Sequence, residues 1–236
     1  MTRPVLAFSA LLCTLSATPA AADVVRTGED RFVTRAEAVV SADTKATWLA
    51  LISPARWWSD EHTWSGDAAN LTLTPQAGGC FCETIPEVED AERITLEGSV
   101  EHMRIVQAYP ENALRMIGAL GPLQSEPVTG VLTIALTEAE EGTRIVWEYN
   151  VGGAMRYETA AIAQAVDNVM TEQLVRLADE LGMVSGPTMP GTDGGETDAG
   201  QPDEDDAQAD ESPADDNSGA TSGPSVEEAF EDLSDG

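Results

Sequence analysis

The chain has 236 residues, and its 42 acidic residues against 12 lysines and arginines give it a formal net charge of -30. Nucleic acids are bound through basic patches, so this charge excludes a nucleic-acid partner from the expected functions. No stretch reaches the roughly 18 consecutive apolar residues that a membrane helix needs, so we expect no integral membrane segment.

The first 22 residues have the order of a secretory signal peptide. Arg3 supplies the positive start, Val5 to Leu15 form a short apolar run, and three alanines precede Asp23. This order of charged, apolar and small-residue segments is typical of a cleaved leader. The sequence therefore predicts a signal peptide over residues 1–22 and an exported protein, either periplasmic or secreted.

The last 50 residues differ sharply in composition from the rest. Residues 187–236 contain 16 Asp or Glu and no Lys or Arg, and they are rich in Gly, Pro, Ser and Ala. Such a segment buries too little apolar surface to offset the entropy lost on folding. We predict a disordered acidic tail over 187–236, which leaves residues 23–186 as one folded domain.

The folded domain is predicted to start with a strand and two short helices. Alternation indicates a strand over residues 31–41, and the segment SADT at 41–44 offers N-cap residues for a helix over 45–52. Pro54 ends that helix and can begin a second short one that carries Arg56 and two tryptophans. A polar loop over 60–69 is expected to follow.

A run of strands and one long helix complete the domain. Short turns join the predicted strands, which favours an antiparallel sheet. The apolar rhythm of residues 157–181 predicts an amphipathic helix about 37 Å long, with Gly182 as its C-cap. The predicted strands cover residues 70–74, 80–85, 94–109, 113–119, 130–136 and 143–151.

This order predicts an α+β fold in which a curved antiparallel β-sheet wraps around the long C-terminal α-helix. A sheet and a single helix do not fill each other's curvature completely. We therefore expect a cavity between the sheet and the last helix, beside the two short helices that follow the first strand.

Several segments, in this order and spacing, resemble a known superfamily. They are ADTKATW at 42–48, PARWW at 54–58, GGCFCE at 78–83, GVLT at 130–133 and GTR at 142–144. The chain resembles the START-like, SRPBCC (Bet v 1-like) helix-grip domains, and among them the polyketide cyclase/dehydrase and Hsp90-ATPase-activator-homologue group. The resemblance covers residues 31–182. It implies a pocket for a small, mostly apolar molecule, in a superfamily that includes lipid carriers, cyclases, hydrolytic enzymes and chaperone activators.

The stretch from residue 54 to residue 83 is predicted to form one wall of that pocket, because it concentrates large aromatic side chains in a chain with few of them. Methionines on the later strands and the last helix suit a wall that accepts varied apolar ligands. The predicted pocket residues are Trp57, Trp58, His62, Trp64, Cys80, Cys82, Met103, Met116, Trp147, Met155 and Met170.

Cys80 and Cys82 leave three interpretations open. Residues two apart on a regular strand have Cα atoms about 6.6 Å apart and parallel side chains, which makes a disulfide awkward without a kink. Metal binding would need two more ligands, and the chain offers only His62 and His102. We favour two free, half-buried thiols that line the pocket, followed by a disulfide and then a metal site. No metal and no cofactor is predicted.

His62 and His102 are the candidate acid–base residues, His62 in the loop and His102 on a strand. Glu83 alternates to the face opposite the cysteines, and we expect it to pair with an arginine across the sheet. The leading functional hypothesis is an exported protein that binds a small hydrophobic molecule. The alternatives are a cyclase, dehydratase or hydrolase that uses a pocket histidine, and an interaction module that works through the acidic tail. The sequence does not predict an oligomeric state.

Overall fold

The computed structural model of the protein describes residues 23–89 and 94–188. The signal peptide predicted over 1–22 and the acidic tail from residue 189 onward lie outside the described residues. The strands are β1 Asp23–Thr27, β2 Arg31–Val40, β3 Leu71–Leu73, β4 Cys80–Ile85, β5 Gly98–Tyr109, β6 Ala113–Gly118, β7 Val128–Ala139, β8 Gly142–Gly153 and β9 Met183–Ser185. The α-helices are α1 Thr44–Leu51 and α2 Thr159–Glu180.

The strands form one large antiparallel sheet in the order β1-β2-β8-β7-β6-β5-β4-β3, and β9 also pairs with β2. Every pairing between these strands is antiparallel. The prediction of an α+β fold, with an antiparallel sheet followed by a long helix, is confirmed at this level. None of the helices within residues 23–89 and 94–188 has the length and apolar character needed to span a membrane.

Strands β1 and β9 were not predicted. Each is short, five residues for β1 and three for β9, and so carries little periodic signal of its own. Both are held by β2, where Val40 pairs with Met183 and Phe32 pairs with Thr27. Their strand structure therefore depends on pairing with β2, which is distant from β9 in sequence. The local sequence pattern does not reveal this pairing.

Helix α1 begins as the sequence predicts. The Asp43 carboxylate accepts a hydrogen bond of 2.7 Å from the Ala46 amide, which satisfies one of the free donors of the first turn. After the helix, Pro54 to Arg56 form a single 3-10 turn, shorter than the second helix that was predicted. This turn is nevertheless decisive for the interior, because it delivers Trp57 and Trp58 to the core.

Helix α2 packs mainly against β2, with further contacts to β1 and β9. Its buried side is the predicted apolar stripe, and Gly182 ends the segment with a φ of +77°, the left-handed conformation expected at a helix C-terminus. The buried apolar residues of α2 are Ile162, Ala163, Met170, Leu174, Val175, Leu177 and Ala178. Helix α2 lies towards the β2 end of the sheet, whereas α1 packs near the central strands β7 and β8 and the turn after it packs near β3.

Candidate functional site

A row of buried aromatic rings crosses the interior. The ring centroids of Trp147 and Trp57 are 5.9 Å apart, those of Trp57 and Trp58 5.5 Å, and those of Trp58 and Phe81 5.2 Å. The Phe81 ring is in turn 5.2 Å from the ring of His102. Such tilted and edge-to-face pairs are favourable geometries for aromatic packing. The row joins β8, the turn after α1, β4 and β5 through side chains alone.

The three indole N–H groups of this row differ in one respect. Trp57 Nε1 donates to the Ala50 carbonyl at 2.9 Å, and Trp58 Nε1 donates to the His62 carbonyl at 3.0 Å. Trp147 Nε1 is also buried, yet it has no hydrogen-bond partner among the described residues. A buried donor without a partner typically costs about 1–3 kcal/mol. The hydroxyls of Thr47 and Thr171 are the other buried side-chain groups without a partner among the described residues.

Trp147 lines a small cavity with a volume of about 10 Å³. This is close to the smallest space that admits one water molecule. Apart from the tryptophan N–H groups, the side chains around the cavity are apolar. The lining residues are Leu51, Pro54, Trp57, Trp58, Leu73, Phe81, Leu114, Met116, Leu132, Ile134 and Trp147.

The place of this cavity matches the expected one only in part. An open cleft of about 490 Å³ lies between α2 and the turn after α1, lined by Arg56, Trp57, Arg176, Asp179 and Glu180. The small cavity was expected against the last helix, but none of its lining residues belongs to α2. It lies instead between the sheet and the segment formed by α1 and the Pro54 turn. The reason is the placement of α2 over β2, where its apolar stripe is filled by strand side chains.

Four of the predicted pocket residues line the cavity: Trp57, Trp58, Met116 and Trp147. The others lie elsewhere. Met103 and Met170 are packed in the core, and Met155 is half-buried at its edge. Trp64 is 58% exposed and donates from Nε1 to Gln124 Oε1 at 2.9 Å. His62, Cys80 and Cys82 are half-buried outside the cavity.

Phe81 is the most important lining residue that the sequence analysis missed. It lies between the two cysteines on β4, and the alternation of a strand points it to the face opposite them. The pattern of burial along β4 shows this directly, with Phe81 and Glu83 buried and both cysteines half-exposed. The alternation signal is present in the sequence, but the cysteines, not Phe81, were expected on the interior face.

Glu83 and His102 form a buried pair beside this wall. The Glu83 side chain is fully buried, and its Oε2 lies 2.8 Å from His102 Nε2. The same carboxylate accepts the backbone amides of Trp64 at 3.1 Å and Ser65 at 2.5 Å. The expected arginine partner is thus wrong: β5 places His102, not Arg104, on the inner face, where Glu83 also anchors the loop after His62.

The protonation of this pair follows from its surroundings. Burial alone would raise the pKa of Glu83, but hydrogen bonds from Ser65, Trp64 and His102 outweigh it and hold the pKa below its usual range. Burial lowers the pKa of His102 from 6.5, although the Glu83 hydrogen bond opposes this shift. At neutral pH a neutral His102 therefore donates its Nε2 proton to an ionised Glu83.

Acidification is expected to destabilise the fold through this pair. Both pKa values are lower in the folded chain than in the unfolded chain, so the unfolded chain binds more protons and the free energy of unfolding rises with pH. The contribution of His102 to the free energy of unfolding is complete above about pH 6.5 and is lost as the pH falls below that value. The contribution of Glu83 is lost at lower pH, below about pH 4.5. Urea denaturation over a pH series measures both losses.

The His102→Gln variant provides the control for that series, because glutamine still donates to Glu83 but does not titrate. It should lose the decrease that begins near pH 6.5 and keep the decrease at lower pH. Equal wild-type stability on both sides of pH 6.5 would contradict the assignment.

His62 ties the loop to α2. Gln173 Oε1 accepts the Ser59 amide at 2.9 Å, which orients the side-chain amide so that Nε2 donates to His62 Nδ1 at 3.2 Å. Glu172 Oε2 lies 3.6 Å from the same ring nitrogen. His62 and His102 are thus each held by partners from another element, and neither lines the cavity. The arrangement explains the two histidines as anchors of the segment between α1 and β3.

Cys80 and Cys82 are joined by a disulfide. Their Cα atoms are 5.4 Å apart, shorter than in a regular strand, and the pairing register of β4 with β5 shifts between Phe81 and Cys82. This irregularity supplies the kink that the bond requires, and the preference for free thiols is corrected. No cluster of three or more potential metal-binding side chains occurs within residues 23–89 and 94–188.

No family model matches the chain, and no curated protein matches it. Among solved structures, a Mesorhizobium loti protein is 16% identical with a TM-score of 0.43, over 62% of this chain and 94% of that one. A Rhodobacter sphaeroides protein is 19% identical with a TM-score of 0.42, over 68% and 97%. A conserved protein of unknown function from Enterococcus faecalis is 14% identical with a TM-score of 0.44, over 68% and 77%.

Proposed function

We propose that the chain is an exported, START-like helix-grip protein that binds a small hydrophobic molecule carrying one hydrogen-bond acceptor. The binding site is the cavity bounded by Trp57, Trp58, Phe81 and Trp147. The observation that carries this proposal is that Trp147, whose buried indole N–H has no partner among the described residues, lines an otherwise apolar cavity. Neither histidine lines that cavity and the acidic tail lies outside the described residues, so we propose neither alternative function.

The chemistry of the wall selects the ligand class. Aromatic and aliphatic side chains favour a ligand that is mostly apolar. Each Å² of its apolar surface removed from water contributes roughly 25 cal/mol to binding. A carbonyl, ether or hydroxyl oxygen on that ligand would accept the Trp147 N–H and remove the cost of leaving it unpaired. A charged ligand is disfavoured, because no charged side chain among the described residues lines the cavity to compensate its desolvation.

Binding requires the wall to move. Sites for small molecules commonly hold about 300–1,000 Å³, far more than the volume of this cavity. We place the opening at the Pro54–Trp58 segment, which is a single 3-10 turn and not part of the sheet. It is attached to α2 by the hydrogen bond of 2.8 Å from Arg176 Nε to the Trp57 carbonyl and by the ion pair of Arg56 with Glu180, contacts that can break without disturbing a strand.

A matched pair of probes tests the proposal. Acetophenone and isopropylbenzene have similar shapes, but only acetophenone carries a carbonyl acceptor. Both should raise the melting temperature of the wild-type protein by binding the folded state, and acetophenone more strongly. In Trp147→Phe, which keeps a ring but lacks the N–H, we expect the affinity for acetophenone to fall about five- to tenfold, equivalent to about 1–1.4 kcal/mol.

Isopropylbenzene serves as the internal control, since its affinity should change little in the same variant. Failure of both probes to bind the wild type, together with no ligand in an organic extract of the purified protein, would overturn the proposed function. An equal loss for both probes would show that the indole N–H does not recognise the ligand. The export part predicts that the protein isolated from its host begins at Asp23, which N-terminal sequencing measures.

A further inference from the structure

The disulfide between Cys80 and Cys82 contributes little to the stability of the fold. It closes a loop with one residue between the cysteines, and the entropy that a cross-link removes from the unfolded chain increases with loop length. The bond also joins two residues of the same strand, so it connects no separate elements. A structural role therefore does not account for it.

The position of the bond suits a reaction with solvent thiols. Both cysteines are half-exposed on the outer face of the sheet, on the strand next to the edge strand β3. Disulfides that are exposed or held in an irregular backbone are the ones most readily exchanged. We propose that Cys80–Cys82 is a thiol–disulfide exchange site that takes two electrons from a dithiol, and that its reduction releases Phe81 from its present packing.

The exchange takes place in two steps. One thiolate of the dithiol attacks the Cys82 sulfur, the bond between the cysteines breaks, and Cys80 leaves as a thiolate that takes up a proton. The second thiol of the reductant then attacks its own mixed-disulfide sulfur, which frees Cys82. The cysteines end as two thiols, and the dithiol ends as a disulfide.

The register of β4 with β5 places a salt bridge on the same face as the two cysteines. Cys80 lies opposite Arg104 and Cys82 lies opposite Glu101, and partners opposite each other on antiparallel strands share a face. Arg104 and Glu101 are paired with each other at 3.0 Å, so their charges compensate and leave either sulfur open to attack.

Phe81 connects the exchange site to the interior. It is the single residue between the two cysteines, is 3% exposed, and contacts the rings of Trp58 and His102. The bond draws the Cα atoms of its neighbours to 5.4 Å, against about 6.6 Å in a regular strand. Reduction allows the strand to lengthen at this point, which moves the backbone that carries the Phe81 ring.

The first experiment measures the exchange on the full chain. The oxidised protein is treated with dithiothreitol at neutral pH without denaturant, alkylated, and analysed by peptide mapping, which separates Cys80 and Cys82 from Cys13. We expect both residues to be alkylated while the protein stays folded. A bond that resists reduction until the protein is unfolded, or two thiols free before treatment, would overturn the proposal.

The second experiment measures the coupling, with no ligand involved, so its result is independent of the proposed function. The indole ¹H–¹⁵N resonance of Trp58 should shift on reduction, because the Phe81 ring current acts on it, while that of Trp48 serves as the reference. Cys80→Ser/Cys82→Ser should show the reduced position under all conditions, and Phe81→Leu should lose most of the shift. An unchanged Trp58 resonance after complete reduction would overturn the coupling.

Discussion

Replacing Glu83 with alanine should lower the free energy of unfolding by about 3–5 kcal/mol, the cost typical of removing one partner from a buried charged pair. The substitution leaves three donors without an acceptor: the amides of Trp64 and Ser65 and the Nε2 proton of His102. It also frees the loop that follows His62. Urea denaturation at neutral pH, monitored by tryptophan fluorescence, measures the loss.

The matched control is Glu101→Gln, on the neighbouring strand of the same hairpin. Glu101 is about half exposed and pairs with Arg104 on the surface, so the change should cost less than about 1 kcal/mol. Glu83→Gln should fall between the two, because its amide accepts on one side only. If Glu83→Ala and Glu101→Gln prove equally stable, the buried pair does not anchor the loop.

Gly130→Ala should destabilise the protein by about 3 kcal/mol, at the upper end of the range for overpacked interiors. A Cβ atom at residue 130 would lie 2.5 Å from the Tyr149 hydroxyl oxygen and 2.6 Å from the Gly118 carbonyl oxygen. Tyr149 is 1% exposed and its hydroxyl accepts the Leu120 amide, so the ring has no space into which it can move. Thermal and urea unfolding both measure this effect.

Gly152→Ala is the control for that substitution. It lies on β8 beside β7 of the same sheet, where a new Cβ would meet only Arg31 Cβ at 3.8 Å, an ordinary contact. Its stability should stay within about 0.5 kcal/mol of the wild type. Similar losses for both glycine variants would show that the Tyr149 ring yields, and that the close approach at residue 130 does not limit the sheet.

The sheet and the helices were predictable where a segment carries its own pattern. Strand β8 alternates β-branched and aromatic residues, α2 repeats its apolar residues at helical spacing, and Asp43 marks the start of α1. These are local signals that require no knowledge of the partner. The turn at 75–79 likewise predicted the hairpin of β3 and β4, which the pairing of Thr72 with Cys82 confirms.

The candidate site depended on relations that the sequence does not display. Glu83 and His102 are 19 residues apart, and they meet because of the register shift in β4 and β5. The same shift permits the disulfide, which regular strand geometry disfavours. The place of the cavity depends on which strands α2 covers. An apolar stripe predicts that one face of a helix is buried, but it does not identify the strands against which that face packs.

The three-residue length of β3 has a consequence for how the folded protein meets other copies of itself. β3 forms one edge of the sheet, and edge strands expose amides and carbonyls that can recruit a strand from a second chain. Here the exposed ladder ends at Leu73, two residues before Pro75, which has no amide proton to donate. A short edge bounded by proline offers too few backbone groups for strand addition, which protects this side of the sheet against aggregation.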